Sequence, residues 1–325
     1  MTATTITPID LTGYMQEFPE HTAVVPAFMY SGLVEDYFHG AGSNHGRQLP
    51  WSKAHGKVGF RPGETTLWAG FNGSGKSLLV GQVLLEFLSR GDTACVASME
   101  MKPEMSLARM CRQASGVNIP SSQFIGEFHD WLTERLWLYT QQNSVKHNRI
   151  VGLARYCGTG VLSAGKKVRM DHLVLDSLMK CGIGSDDYNT QKQFINDLCS
   201  IAKDTGTHIH LVAHMRKGDS EFRESDKMDI KGASELSDQA DNVMIFWRNK
   251  AKEDESVKPS PSEKIMQMPD AVLSCRKQRN GEWEGKIALW FDKKSTQYVA
   301  YENARPIDFM REDEANSERR AIQQA

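Results

Sequence analysis

The 325-residue chain lacks any Cys-x-x-Cys pair; its six cysteines, Cys95, Cys111, Cys157, Cys181, Cys199 and Cys275, stand far apart. That spacing argues against a structural zinc site, and several of the six lie in apolar runs where cysteine serves as a small core residue. Reduced thiols in a cytoplasmic protein are the expectation. The N-terminal stretch MTATTITPIDLTGYMQEF has no basic region leading into an apolar one, so it does not read as a secretory signal. No apolar run approaches the roughly 18 residues of a membrane span. Charge of one sign is lacking too: 39 basic residues face 41 acidic ones, for a net charge of −2. Such a balance does not advertise a polyanionic partner, yet it leaves room for a narrow basic channel or loop. No repeat of solenoid period occurs. With 40% hydrophobic and 25% charged residues, the composition is that of a globular chain long enough to bury a full core.

The first fifty residues are irregular, apart from Tyr30, Leu33, Val34 and Tyr37, which fall at helical spacing on one face. After Gly63 the rhythm changes. Short β-rich runs (TTLWAG, TACVAS, RLWLYT, HLVLD, HIHLVA, NVMIFW) alternate with helical segments (LLVGQVLLEFLSR, MSLARMCRQA, NTQKQFINDLCSIAKD). Nearly continuous apolar strands between helices predict an α/β fold, a mostly parallel twisted sheet with helices on both faces. AVLSC and KIALWF are expected to extend it in antiparallel fashion. The polar stretch NKAKEDESVKPSPSEKIMQMPD is expected to be a mobile surface loop, and the tail from about Pro306 to be disordered or a partner-dependent helix.

Gly70-Phe71-Asn72-Gly73-Ser74-Gly75-Lys76-Ser77 fits GxxxxGK[ST] at every fixed position, between a β-rich run and an apolar helical one. Glycines there let backbone N–H groups curl around phosphates at a helix N-terminus, which includes Leu78. Lys76 is expected to reach the β- and γ-phosphates of ATP, and the Ser77 hydroxyl to ligate Mg²⁺. Asp176 ends the apolar strand HLVLD and is expected to join Ser77 at the metal; by itself such an Asp can equally be a cap. Glu100, at the end of TACVASMEM, stands where a carboxylate could orient and deprotonate the attacking water, or simply begin the next helix.

In this order the segments resemble the RecA-like ATPase domain of DnaB-type and Twinkle-type replicative DNA helicases (superfamily 4), including phage ones, from about Leu49 to Val299. The resemblance implies a RecA-like P-loop NTPase core, with Glu100 in the catalytic-glutamate segment SMEMKPEMSLARM and Asp176 in the Walker B segment LVLDSLMKCG. HLVAHMRKGD is similar to the family's sensor motif, which makes His214 the polar γ-phosphate sensor. DIKGASELSDQAD is similar to its DNA-loop motif, with Lys231 at the basic position but Ala233 and Ser234 where a Ser-Gly pair is common. Lys277-Gln278-Arg279-Asn280-Gly281 matches KxRNG, whose Lys and Arg enter the neighbouring subunit's ATP site. Arg279 is then an arginine finger, a contribution of roughly 10³–10⁵ in rate. As bare sequence the same segment is a basic hairpin turn. Arg248 and Phe291 fall near the family's adenine-stacking pair, or are packing residues at strand ends.

Arg216, Lys217, Lys227 and Lys231 are expected to track single-stranded DNA phosphates in a central channel, although a charged stretch of this kind is more often a solvated loop. The resulting expectation is an ATP-dependent helicase subunit in a homo-oligomeric, hexameric ring, served by a separate primase or polymerase. Its domains are a segment 1–47 containing a possible inter-subunit linker helix, an ATPase domain 48–305, and a polar tail 306–325. A RecA/RadA-like recombinase and a helicase-associated regulatory or loader ATPase are the competing readings.

Overall fold

The computed structural model describes residues 27–39, 46–141, 144–184, 187–215 and 233–310. Short, nearly continuous apolar runs dictate the sheet, whose central strands are buried on both faces. Its nine strands are β1 (Thr65–Gly70), β2 (Ala94–Ser98), β3 (Leu136–Leu138), β4 (His172–Asp176), β5 (His208–His214), β6 (Asn242–Arg248), β7 (Ala271–Gln278), β8 (Gly285–Asp292) and β9 (Gln297–Val299). They lie in the order β9-β8-β7-β6-β1-β5-β4-β2-β3. The six strands from β6 to β3 run parallel, and β7, β8 and β9 add an antiparallel extension. The fold class is therefore the one read from the sequence, with one more antiparallel strand than expected.

Strand side chains alternate between two cores, because successive Cβ atoms point to opposite faces. Leu67, Ala69, Leu173, Leu175, Ile209 and Leu211 face one side. There they meet α5 (His147–Thr159), α6 (Tyr188–Thr205) and α7 (Ala233–Gln239) through Ile150, Leu153, Phe194, Leu198 and Leu236. Trp68, Val174, Val212, Met244 and Phe246 face the other. They pack on α2 (Lys76–Ser89), α3 (Pro103–Ser115) and α4 (Ser122–Leu132) through Leu79, Val83, Met110 and Phe128. All six cysteines are buried and free.

The amino edge of the parallel strands carries a buried polar chain. Trp68 Nε1 donates to His210 Nδ1 at 3.1 Å, His210 Nε2 lies 3.1 Å from His172 Nδ1, and His172 Nε2 lies 3.0 Å from Asp92. His208 bonds the Thr66 hydroxyl at 2.8 Å and the Arg61 carbonyl at 2.6 Å. Because Trp68 Nε1 can only donate, His210 Nδ1 is the acceptor there, which leaves Nε2 of that ring to carry its proton.

Two readings need correction. The polar stretch after β6 is not a loop throughout but folds into α8 (Lys250–Ser256) and α9 (Glu263–Met266). Asn249 caps α8 by accepting from the Lys252 amide, and Lys252 itself is buried, paired with Asp270 at 2.9 Å. Likewise Ile307 bonds Gln297 through its amide and Phe309 is fully buried, so residues 306–310 belong to the packed domain. At the other end, α1 (Ser31–His39) follows a short 3-10 turn and exposes Val34 and Phe38. Among the described residues no helix is long and apolar enough to cross a membrane.

Candidate active site

Parallel strands in an open sheet deliver their following loops to one edge, and ligands gather there. Four of the candidate groups sit at that carboxyl edge: the P-loop after β1, Glu100 just beyond β2, Asp176 ending β4 and His214 ending β5.

The P-loop turns from β1 into α2 by backbone geometry that only glycine tolerates at two points. A Cβ on Gly70 would stand 2.5 Å from the Phe246 carbonyl oxygen, and Gly75 is left-handed at φ 93°. Gly73 is left-handed as well, while Asn72 lies exposed at the loop's crest and Leu78 in the first turn of α2. Lys76 is buried, and its Nζ donates to the Gly70 and Phe71 carbonyls at 2.9 and 2.8 Å. Burial lowers its pKa to about 8, with Asp176 and Glu100 pulling the other way. The Ser74 hydroxyl is buried with no partner among the described residues. A cradle of this shape, with a buried hydroxyl left to pair and an ammonium held by carbonyls, fits a phosphate chain.

Asp176 is nearly inaccessible, its pKa raised by burial and opposed by a hydrogen bond from Ser77. The pair offers a carboxylate and a hydroxyl oxygen, the donor set Mg²⁺ prefers. Glu100 is held from the neighbouring strands. Its Oε1 accepts from the Ser177 hydroxyl at 2.7 Å and lies 3.4 Å from His214 Nε2. Hydrogen bonding from His214, and then from Ser177, draws the carboxyl down to about 2 against the opposing effect of burial. His214 Nε2 also lies 3.2 Å from the Ser177 oxygen, so Nε2 is assigned the proton. The ring's buried Nδ1 then has no partner among the described residues. Ser177 was not singled out from the sequence. It is fully buried, directly after Asp176, and its signal was a hydroxyl at a strand end.

Arg248 and Phe291 do come together, lining one 460 Å³ cavity with Lys252, Glu253, Asp270 and Tyr298. Arg248 is already engaged by Glu253. The Tyr298 ring packs 5.0 Å from Phe291, and its hydroxyl stands beside Gly75, which ties the cavity to the P-loop.

Arg279 and Lys277 lie elsewhere. Gln278 pairs with Asn242 and Asn242 with Thr66, so the β7–β8 hairpin leaves the sheet at the edge where β1 begins. The P-loop starts where β1 ends. At roughly 3.3 Å of rise per residue, the five steps from Thr65 to Gly70 separate the two by about 16 Å. Both basic side chains are docked on the far edge, Lys277 Nζ donating to the Ser237 and Asp238 carbonyls and Arg279 paired with Asp241. Arg216, Lys217, Lys227 and Lys231 lie outside the described residues.

Residues 55–300 match the family model described as the DnaB-like helicase C-terminal domain. Among solved structures, the chain is similar to the ATPase domain of G40P, with 16% identity and a TM-score of 0.67, covering 85% of this chain and 99% of that one. It is also similar to a DnaB-like replicative helicase whose structure was described with its interactions with primase. There the identity is 15% and the TM-score 0.67, with 86% of this chain and 69% of the other covered. At such identities the likeness shows a shared fold.

Proposed function

This chain belongs to the family of DnaB-like helicase C-terminal domains, and we propose that it hydrolyses ATP at sites shared between subunits of a ring, so as to translocate on single-stranded DNA and unwind duplex. The observation that carries this reading is the distance between the chain's own phosphate cradle and its own basic hairpin. Arg279 stands at the opposite edge of the sheet from Lys76, so a role for it in hydrolysis requires a second copy of the chain.

Within one protomer, Lys76 and the P-loop amides would hold the phosphates, with Ser77 and Asp176 holding Mg²⁺. The metal supplies charge neutralisation across the phosphate oxygens when bound. Glu100, ionised and fixed by Ser177, would orient a water and take its proton. His214 would sense the terminal phosphate, and Arg248 and Phe291 would flank the base. Arg279 and Lys277 of the neighbour would offset charge on the transferring group. The side chains of Arg216, Lys217, Lys227 and Lys231 would meet the DNA backbone, and a hexamer working with a separate primase or polymerase completes the proposal. The apolar surface of α1 is proposed as the linker that docks on the adjacent subunit.

Mixed rings test the shared site. Arg279→Ala alone should bind ATP but lose about 10³-fold or more in turnover. Mixing it with Glu100→Gln protomers should restore part of the ATPase and forked-duplex unwinding, because some interfaces then combine an intact glutamate with an intact finger. Activity of Arg279→Ala near the unaltered rate would exclude the finger role.

A further inference from the structure

The guanidinium of Arg279 is not loose at the hairpin tip. Its Nη1 pairs with Asp241 Oδ1 at 3.0 Å, its Nη2 donates to the Asp238 and Gln239 carbonyls at 3.3 Å, and its backbone amide donates to the Asp241 carbonyl at 2.8 Å. Asp241 is buried and bound to the start of the P-loop strand on its other side. Oδ2 accepts from the Thr65 amide at 2.9 Å, and its own amide donates to the Thr65 carbonyl at 2.9 Å. The carbonyls under Arg279 and Lys277 come from the last turn of α7, where the helix dipole favours cations.

We infer that Asp241 is the positioning residue of the trans-acting arginine: it fixes Arg279 on the rigid start of β1 and presents it to the next subunit. The inference rests on the reading above that Arg279 serves a neighbour's nucleotide. Release of the arginine on assembly is disfavoured, because a carboxylate 3% exposed would be left with its charge uncompensated. The arginine side chain is 42% exposed, which leaves part of the guanidinium facing outward while the pair persists.

Asp241→Asn tests this, because an amide oxygen can still accept from the Thr65 amide while the negative charge facing the arginine is lost. Expected are a ten- to hundredfold fall in kcat for ATP, an unchanged KM and unchanged binding of a fluorescent ATP analogue. A purely structural role would instead disturb β1 and its own P-loop, raising KM. Mixing D241N with Glu100→Gln protomers should restore turnover, since the intact finger then comes from the Gln-bearing partner. Restoration in the Arg279→Ala control but not with D241N would overturn the inference, as would wild-type turnover by D241N alone. A silent control would instead remove the shared site itself, and the inference with it. Should D241N melt, Asp241→Glu, which keeps the charge on a longer arm, reads the same point: a loss that Glu100→Gln protomers complement supports the role, and a loss they do not complement overturns it.

Discussion

At the scale of single residues, the site is a set of charges whose positions are fixed by neighbours of low sequence prominence. Ser177 is the clearest case. Its hydroxyl bridges the Glu100 carboxylate and the His214 ring, so it sets where the proposed base points. A hydrogen bond to a charged group contributes about 1.5–3 kcal/mol, which corresponds to roughly ten- to hundredfold in rate. Ser177→Ala should therefore lower single-turnover hydrolysis by that factor while ATP-analogue affinity changes less than about twofold. Equal losses in rate and affinity would mean that the serine supports the phosphate cradle rather than the glutamate. Lys76, Glu100, Asp176 and the glycines were legible because a strand end or eight consecutive residues define them. Ser177 was not, since its meaning comes from contacts across strands β2, β4 and β5.

At the scale of elements, the amino edge of the sheet imposes a pH dependence on stability. Burial lowers the pKa of His208 to about 3, with His172 adding to the effect, and puts His210 well below its usual value. Both remain neutral when folded, whereas the unfolded chain protonates them near 6.5. The unfolded state thus binds more protons below that pH, so stability is full above about 6.5 and declines as pH falls toward the folded values. Each histidine should cost about 1.4 kcal/mol at pH 5.5 relative to pH 8. Urea denaturation across that range should show the decline, and a histidine-to-glutamine change at His208 should flatten its slope. An unchanged midpoint between pH 8 and 5.5 would show that these rings are not held neutral. Elements were legible where periodicity was strong. α8 was missed because its polar composition masked the Asn249 cap and the burial of Lys252, which depends on Asp270 well beyond the helix in sequence.

At the scale of the whole molecule, the proposed ring assigns a task to a second copy. Phe28, Met29, Tyr30, Val34 and Phe38, in α1 and the turn before it, are all more than half exposed, an apolar concentration that isolated folded domains rarely leave uncovered. Val34→Ser with Phe38→Ser should shift sedimentation from ring-sized species toward monomer and lower ATPase in proportion, leaving the melting temperature of the monomer unchanged. A lower melting temperature with assembly intact would place the helix against its own domain.

The succession of apolar strands and helices in the parallel part of the sheet, the phosphate cradle and the identities of the candidate charges were determined by the sequence alone, because each rests on local pattern: short apolar runs, helical period, glycine spacing. Tertiary structure decided the rest. Only the pairing of β7 with β6 shows that Arg279 and Lys76 occupy opposite edges of one sheet. Only packing shows that Asp241 and Ser177 hold the groups on which hydrolysis is proposed to depend. Distance between residues remote in sequence is set by the hydrogen-bonded register of the sheet, and no local run of residues encodes it.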